Sequence, residues 1–267
     1  MLSILRSLWV WIAVITLMLL WLPLLALIRL FDRDEIHYMT GRWFRRLGVS
    51  MTKVNPYWRV QVTGFQVPTE RRAFVVVSNH QSFADIPVIS HIPWEMKWVA
   101  KVELFRLPLV GWMMRLAGDI PVERKDARSG ARALIRAGRC LERRCPVMFF
   151  PEGTRSPDGR VGRFTDGAFH LAIRSRVPVL PVVVEGSFDA LPKHSWRFGS
   201  PRDIRLHLLE PIDIAEYGPD QAGVLRDRVR GEIMKTLSDF RGVARESVDA
   251  LAGPRGDSTS LPATDGV

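Results

Sequence analysis

A chain of 267 residues that is 47% hydrophobic holds enough material for one sizeable core plus appendages. Its 38 Lys and Arg against 28 Asp and Glu give a formal net charge of +10, which favours an anionic partner: nucleic acid, anionic lipid or a phosphorylated substrate. Cys140 and Cys145 are too few for a disulfide framework and, without clustered histidines, make a poor zinc site, so they read as reduced thiols in a cytosolic domain.

In chain order, the first feature is Leu8 to Ile28, which carries no charge and is flanked by Arg6 and by Arg29 and Arg33. About 20 apolar residues cross the hydrocarbon core of a bilayer. A cleaved signal peptide has a shorter apolar stretch ending in small residues, whereas Leu and Trp dominate here up to Arg29. The segment therefore reads as a retained anchor, with Pro23 as a kink or re-entrant turn and Trp9, Trp11 and Trp21 at interfacial depths. Arginines on both flanks leave its orientation open. His37 to Lys53 then mixes Tyr38, Met39, Trp43, Phe44, Leu47 and Val49 with Arg42, Arg45, Arg46 and Lys53. Two readings fit: a helix on an anionic membrane surface, or an amphipathic helix packed against the domain.

From about Trp58, short β-branched runs alternate with helical stretches. The predicted strands are Arg59–Thr63, Phe74–Ser78, Lys97–Ala100, Asp119–Val122, Val147–Phe150, Val179–Val184 and Ile204–Leu208. The predicted helices are Asp85–His91, Leu109–Leu116, Ala127–Arg144, Gly167–Ser175 and Gln221–Asp239. This alternation predicts an α/β domain, a central mixed β-sheet flanked by helices, over residues 56–251. Residues 1–55 form the membrane-anchoring helical segment and interfacial helix, and 252–267, built of Gly, Pro, Ser, Thr and Asp, a disordered tail.

In the helix Ala127–Arg144, residues Arg128, Arg132, Arg136, Arg139 and Arg143 share roughly one quadrant at about 100° per residue. Ala131, Leu134, Ile135, Gly138 and Leu141 form the adjacent apolar arc, expected to pack on the sheet. The arginine row is either a solvated face or a contact for lipid head groups or an acidic donor protein.

Two polar clusters follow apolar strands, where α/β sheets place their ligands. The first is Asn79-His80-Gln81-Ser82-Phe83-Ala84-Asp85. On one continuous helix His80 and Asp85 would point roughly 140° apart, so they meet only if the chain turns between them. Ser82-x-x-Asp85 reads as a capping box that supplies that turn. Asp85 would then hold the imidazole in one tautomer and leave its other nitrogen free as a base; the plainer reading is a helix cap beside a loop histidine. The second cluster is Pro151-Glu152-Gly153-Thr154-Arg155-Ser156. Backbone N–H groups around Gly153 and Thr154 would cradle an anion, Arg155 offers a two-pronged donor to phosphate, and Glu152 would orient Arg155 or bind a substrate hydroxyl.

Asn79-His80-x-x-x-x-Asp85 and Phe150-Pro151-Glu152-Gly153-Thr154-Arg155-Ser156 resemble the first and third blocks of the glycerolipid acyltransferases, especially the 1-acyl-sn-glycerol-3-phosphate acyltransferase group. Gly118-Asp119-Ile120-Pro121-Val122-Glu123-Arg124 resembles the second block and Val177-Pro178-Val179-Leu180-Pro181-Val182 the fourth, in the right order. The resemblance, over about Trp58 to Ser187, implies acyl transfer from acyl-carrier protein or acyl-CoA to the free sn-2 hydroxyl of lysophosphatidic acid, giving phosphatidic acid for phospholipid biosynthesis. It implies His80 and Asp85 as the catalytic pair, and Glu152, Gly153, Thr154, Arg155 and Arg124, with Lys101 as a further candidate, as substrate-binding residues. The expected partners are membrane lipid, a lysophospholipid acceptor and the thioester donor, with no nucleic acid, no metal and no cofactor; the expected place is the cell membrane, with the catalytic domain on its cytoplasmic face. Pro121 stands where the family usually has an aromatic, and Thr165-Asp166 where it often has basic residues before a Gly-Ala pair. The second departure keeps another lysolipid, such as lyso-ornithine lipid, as an alternative acceptor.

A serine hydrolase built on Ser82 lacks a Gly-x-Ser-x-Gly elbow. Cys140 and Cys145 lie far from any motif. A non-catalytic membrane-associated lipid-binding protein would lack the base that His80 and Asp85 supply. A nucleic-acid protein would share the charge, but no recognised binding motif accompanies it.

Overall fold

The computed structural model describes residues 2–123, 126–199 and 202–253. Its strands are β1 (Trp58–Gly64), β2 (Val75–Ser78), β3 (Lys97–Lys101), β4 (Ile120–Val122), β5 (Val147–Phe149), β6 (Val179–Glu185) and β7 (Arg202–Leu208). Its helices are α1 (Leu2–Phe31), α2 (Tyr38–Lys53), α3 (Asp85–Ile89), α4 (Val110–Ala117), α5 (Ala127–Glu142), α6 (Gly167–Ser175), α7 (Ser187–Ala190), α8 (Ala222–Arg241) and α9 (Arg245–Val248). The strands form one seven-stranded sheet in the order β1-β7-β6-β2-β5-β3-β4. β6, β2, β5, β3 and β4 run parallel, β7 is antiparallel to β6, and β1 is parallel to β7. The expected mixed α/β sheet is therefore present, with every predicted strand in it.

The central strands are apolar throughout because both of their faces are covered. Val75 and Val77 of β2 pack with Ala133, Ala137, Phe169, Leu225 and Ile233 from α5, α6 and α8. Val76 points the other way, among Val88, Ile89, Trp94 and Leu180. Pro121 lies in β4, which pairs only with β3, so its missing N–H interrupts no ladder on the open side. Because five strands share one direction, the C-terminal ends of β2, β5, β3 and β4 lie along one rim of the sheet.

Several elements differ from the sequence expectation. α1 runs unbroken through Pro23, with neither a break nor a re-entrant turn. Over Ser3–Phe31 it is long and apolar enough to cross a membrane. It also packs along the domain: Val10, Val14 and Leu25 are buried, while Leu8, Trp9, Ile12, Leu19, Leu20 and Leu27 stay exposed. Trp11 Nε1 donates to Trp196 O at 2.7 Å, Arg6 donates to Phe198 O at 2.8 Å, and Trp21 Nε1 donates to Trp43 O at 2.9 Å. α2 packs against the domain, burying Thr40, Gly41, Arg45, Leu47 and Thr52. The buried stripe of α5 is Ala133, Ala137, Cys140 and Leu141, whereas Ile135 is 51% exposed. Small side chains let this helix lie close on the sheet, so its packing face is set by size more than by hydrophobicity. α3 stops at Ile89 and α5 at Glu142, each two residues before its expected end, and α7 and α9 were not anticipated. Beyond Gly253 the expected tail lies outside the described residues.

A buried ionic cluster joins α2 to the sheet. Lys97 Nζ donates to Glu95 Oε1 at 2.7 Å and to Ala117 O at 2.6 Å. Arg45 reaches Glu95 Oε2 at 3.4 Å and Asp119 Oδ1 at 2.5 Å, and Asp119 Oδ1 also accepts the Trp98 N–H at 3.0 Å. Two cations and two anions balance, so removing one carboxylate strands a buried charge. Glu95→Ala is expected to destabilise the protein by about 3–5 kcal/mol, read as a lower urea midpoint in detergent solution; an unchanged midpoint would show that the cluster carries no stability.

Candidate active site

The site begins where β2 ends. Asn79 continues the strand with its side chain: Nδ2 donates to Val184 O at 2.9 Å, and Oδ1 accepts the Val184 N–H at 3.0 Å. The chain is thereby locked to β6 as it leaves the sheet, and it turns at once. Asp85 Oδ2 accepts from Gln81 N at 2.7 Å, from Ser82 N at 2.9 Å and from His80 Nδ1 at 2.7 Å. A carboxylate oxygen already facing two backbone donors can only accept, so Nδ1 carries the imidazole proton and Nε2 keeps its lone pair. The Ser82 hydroxyl accepts from Ala84 N at 3.1 Å and donates to Leu191 O at 2.6 Å. The expected capping box is not formed: α3 opens at Asp85 behind Ala84, and the Asp85 N–H bonds the Ser82 backbone O at 3.2 Å rather than its hydroxyl, so the turn is closed by the Asp85 carboxylate on the Ser82 N–H instead. It also leaves Ser82, fully buried and bonded twice, without the freedom of a nucleophile.

The second cluster, at the end of β5, packs against the first. The Phe150 ring stacks on His80, centroids 3.9 Å apart and 16° from parallel. Ser156 N donates to His80 O at 2.7 Å. Glu152 does not orient Arg155. Its Oε1 accepts the His80 N–H at 2.8 Å and its Oε2 accepts the Gly162 N–H at 2.9 Å. Burial pushes its carboxyl up to about 7, against those two N–H bonds and with help from the nearby Asp85 charge. Gly153 sits at φ 69 and spends its N–H on Phe150 O at 3.0 Å, so that group is not available to an anion. Thr154 is exposed.

Arg155 keeps its guanidinium over the Phe83 ring, 3.9 Å from the centroid, beside the first cluster. Among the described residues no carboxylate forms an ion pair with it. Desolvation pulls its pKa down, and Asp85 pulls it back up. It is a partly buried cation facing the histidine's surroundings without a partner of its own, which suits a phosphate. Lys101 ends β3 on the same rim of the sheet, two strands from β2, and pairs with Glu103 Oε1 at 3.0 Å with both side chains half exposed. Arg124 lies outside the described residues. Thr165 and Asp166 are engaged elsewhere: Thr165 Oγ1 donates to Pro151 O at 3.0 Å and Asp166 Oδ1 accepts from Arg226 at 2.7 Å. That departure from the family pattern is therefore tied into the loop and α8. Cys140 and Cys145 are buried, and burial pushes the Cys140 thiol up to about 11, which removes it as a nucleophile.

The sequence motifs contain Asn79 and Glu152 but carry no sign of what these residues hold. Their partners are 105 and 72 residues away, so no local spacing signals them.

Known proteins resemble this chain in sequence and fold. The family model described as Acyltransferase matches residues 59–185. A chloroplastic 1-acyl-sn-glycerol-3-phosphate acyltransferase of Brassica napus is 32% identical over 228 residues, 85% of this chain and 63% of that protein. The alpha form from Mus musculus is 34% identical over 206 residues, covering 76% of this chain and 70% of its own length. The crystal structure of the 1-acyl-sn-glycerophosphate acyltransferase PlsC from Thermotoga maritima superposes with a TM-score of 0.76 at 27% identity, covering 91% of this chain and 97% of that one. The chain spans about three fifths of the plant relatives' length, 63% and 60%. Matched in sequence by full-domain relatives and in fold by a solved structure, the chain belongs to the 1-acyl-sn-glycerol-3-phosphate acyltransferase family.

Proposed function

We propose that this chain transfers a fatty acyl group from an acyl thioester, acyl-CoA or acyl-carrier protein, to the sn-2 hydroxyl of lysophosphatidic acid, giving phosphatidic acid. The observation that carries the reading is the 2.7 Å His80 Nδ1–Asp85 bond, which leaves Nε2 without a hydrogen-bond partner among the described residues, while Arg155, over Phe83 of the same turn, has no carboxylate partner among them. Nε2 takes the proton of the acceptor hydroxyl as its oxygen attacks the thioester carbonyl, and Asp85 stabilises the imidazolium. The C–S bond then breaks, and the thiolate leaves with that proton. A thiolate departs readily, so the step needs no acyl-enzyme and no cofactor beyond the thioester. Arg155, with Thr154, Lys101 and Arg124 as further candidates, holds the acceptor's phosphate and so places its hydroxyl at His80. Glu152 and Gly153 shape the site instead: one fixes the His80 backbone, the other the turn.

The same reading explains α1. Its outer face offers Leu8, Trp9, Ile12, Leu19 and Leu20 to a bilayer, while its inner Val10 and Val14 cluster with Ala84 in the catalytic turn. A membrane-borne acceptor then reaches His80 without crossing water. We place the protein at the cell membrane with its domain on the cytoplasmic face, as the reduced, buried cysteines support.

His80→Ala is expected to lower kcat by about 10²–10⁴-fold with an unchanged circular dichroism spectrum, measured with lysophosphatidic acid in detergent; retained turnover would sink the mechanism. Arg155→Ala is expected to raise the acceptor KM by roughly ten- to a hundredfold with a smaller change in kcat. An unchanged acceptor KM would remove Arg155 from the phosphate site.

Glu152→Gln separates positioning from binding. It places an amide N–H against a backbone N–H, so kcat is expected to fall about a hundredfold while the acceptor KM holds. The folded protein keeps a proton on Glu152 between its ordinary 4.5 and about 7, where the unfolded chain has already lost it. Stability contributed by this group therefore falls as pH rises through that window, a slope the Gln variant should lack when unfolding midpoints are compared at the two ends.

A further inference from the structure

The arginine row on α5 lines a concavity. A cavity of about 600 Å³ is bounded by α5, the edge strand β4, the 3₁₀ turn Val102–Arg106, α4 and the loop between α1 and α2. Arg136 and Arg139 line it from α5, Arg106 from the turn and Arg115 from α4. All four are exposed, and among the described residues none has an ion-pair partner. The two carboxylates in its wall are engaged elsewhere: Glu35 pairs with Arg143 at 2.5 Å, and Asp119 with Arg45 at 2.5 Å. Between the arginines lie Ile36, Val102, Phe105, Ile120 and Pro121. A second cavity of about 230 Å³ shares Val102, Pro121 and Arg136 with the first and adds Glu123, Ser129 and Arg132. Those residues stand at the C-terminal end of β4 and the start of α5, so the groove leads toward the rim that carries His80.

We infer that this groove holds the 3′-phosphorylated adenosine diphosphate of an acyl-CoA donor. The inference rests on the acyltransferase reading and specifies its donor. Size, charge and distance each favour it. The larger cavity falls within the about 300–1,000 Å³ of small-molecule pockets. Four guanidinium groups without an ion-pair partner among the described residues match the several negative charges of this nucleotide, and planar guanidinium and apolar walls suit an adenine ring; a glycerol-phosphate head group carries fewer charges and no aromatic ring. A protein partner would bind a broad outer face, whereas these arginines converge on a hollow. β4 lies three strand steps from β2, about 14 Å at the usual spacing, a distance an extended pantetheine arm covers along the rim. The nucleotide rests beside β4, and the arm crosses the ends of β3 and β5 to bring the thioester to His80.

The test uses the full chain in detergent micelles and the double variant Arg136→Ala/Arg139→Ala. Adenosine 3′,5′-bisphosphate, titrated calorimetrically without acceptor, is expected to bind the wild type and to lose at least about tenfold in affinity in the variant. In steady state the variant should raise the KM for acyl-CoA by at least about tenfold, while turnover of acyl-pantetheine, which lacks the nucleotide, and the acceptor KM stay unchanged. No bisphosphate binding by the wild type overturns the proposal. An equal loss with acyl-pantetheine overturns it, as does a KM rise confined to acyl-carrier protein. A variant that loses only binding to phosphatidylglycerol vesicles assigns the arginines to lipid and also overturns it. Bisphosphate binding without transfer to any lysolipid would leave the groove standing and remove the acyltransferase reading instead.

Discussion

One carboxylate oxygen organises the site. Asp85 Oδ2 collects the N–H groups of Gln81 and Ser82 and the Nδ1 proton of His80 within 2.9 Å. The two backbone bonds bend the chain between strand and helix, and that bend carries the imidazole back to the same oxygen. The fold of the turn and the tautomer of the histidine are one event. Any side chain at position 85 without an acceptor at that point loses both, because the buried N–H groups of the turn would have no partner and the ring no orientation.

A turn this sharp needs support from outside itself. Asn79 borrows the backbone of β6, Glu152 grips the His80 N–H from the β5 loop, and Ser156 bonds the His80 carbonyl. The histidine backbone is thus held on both sides by the second cluster, and its ring is held by Phe150. Glu152 also ties its own loop shut through Gly162, where a Cβ would lie only 3.0 Å from Oε2. Two sequence blocks that look like separate binding elements are mechanically one unit, and Arg155 inherits its position from it.

The sheet was legible because parallel strands buried on both faces appear as apolar β-branched runs, and Val75–Val77 and Val182–Val184 are plain cases. The Ser82–Asp85 turn was legible because its geometry is local. Long-range partners were not: nothing near Asn79 points to Val184, nor anything near Glu152 to His80. The face of α5 differs from the hydropathy pattern because Ala133 and Ala137 are weak in hydropathy yet buried. Arg45 stands among the basic residues of the stretch His37–Lys53, but Glu95 and Asp119, distant in sequence, draw it inside. For Asn79, Glu152 and Arg45 what the sequence hid was a partner far along the chain.

The architecture also assigns a direction to each substrate. α1 rests its inner face on Ala84 and Leu191, next to the turn that holds His80, and leaves its apolar outer face exposed. On the reading above, the acceptor's chain therefore stays in lipid while its phosphate meets Arg155 at the boundary. The groove beside β4 lies beyond the other end of the row of parallel strands, where arginines line a hollow open to solvent. On the proposed reading, a lipid-borne acceptor and a water-soluble donor reach one imidazole along the same rim. Parallel strands make this arrangement economical, since each adds a loop at the same edge and the edge alone must be shaped for chemistry.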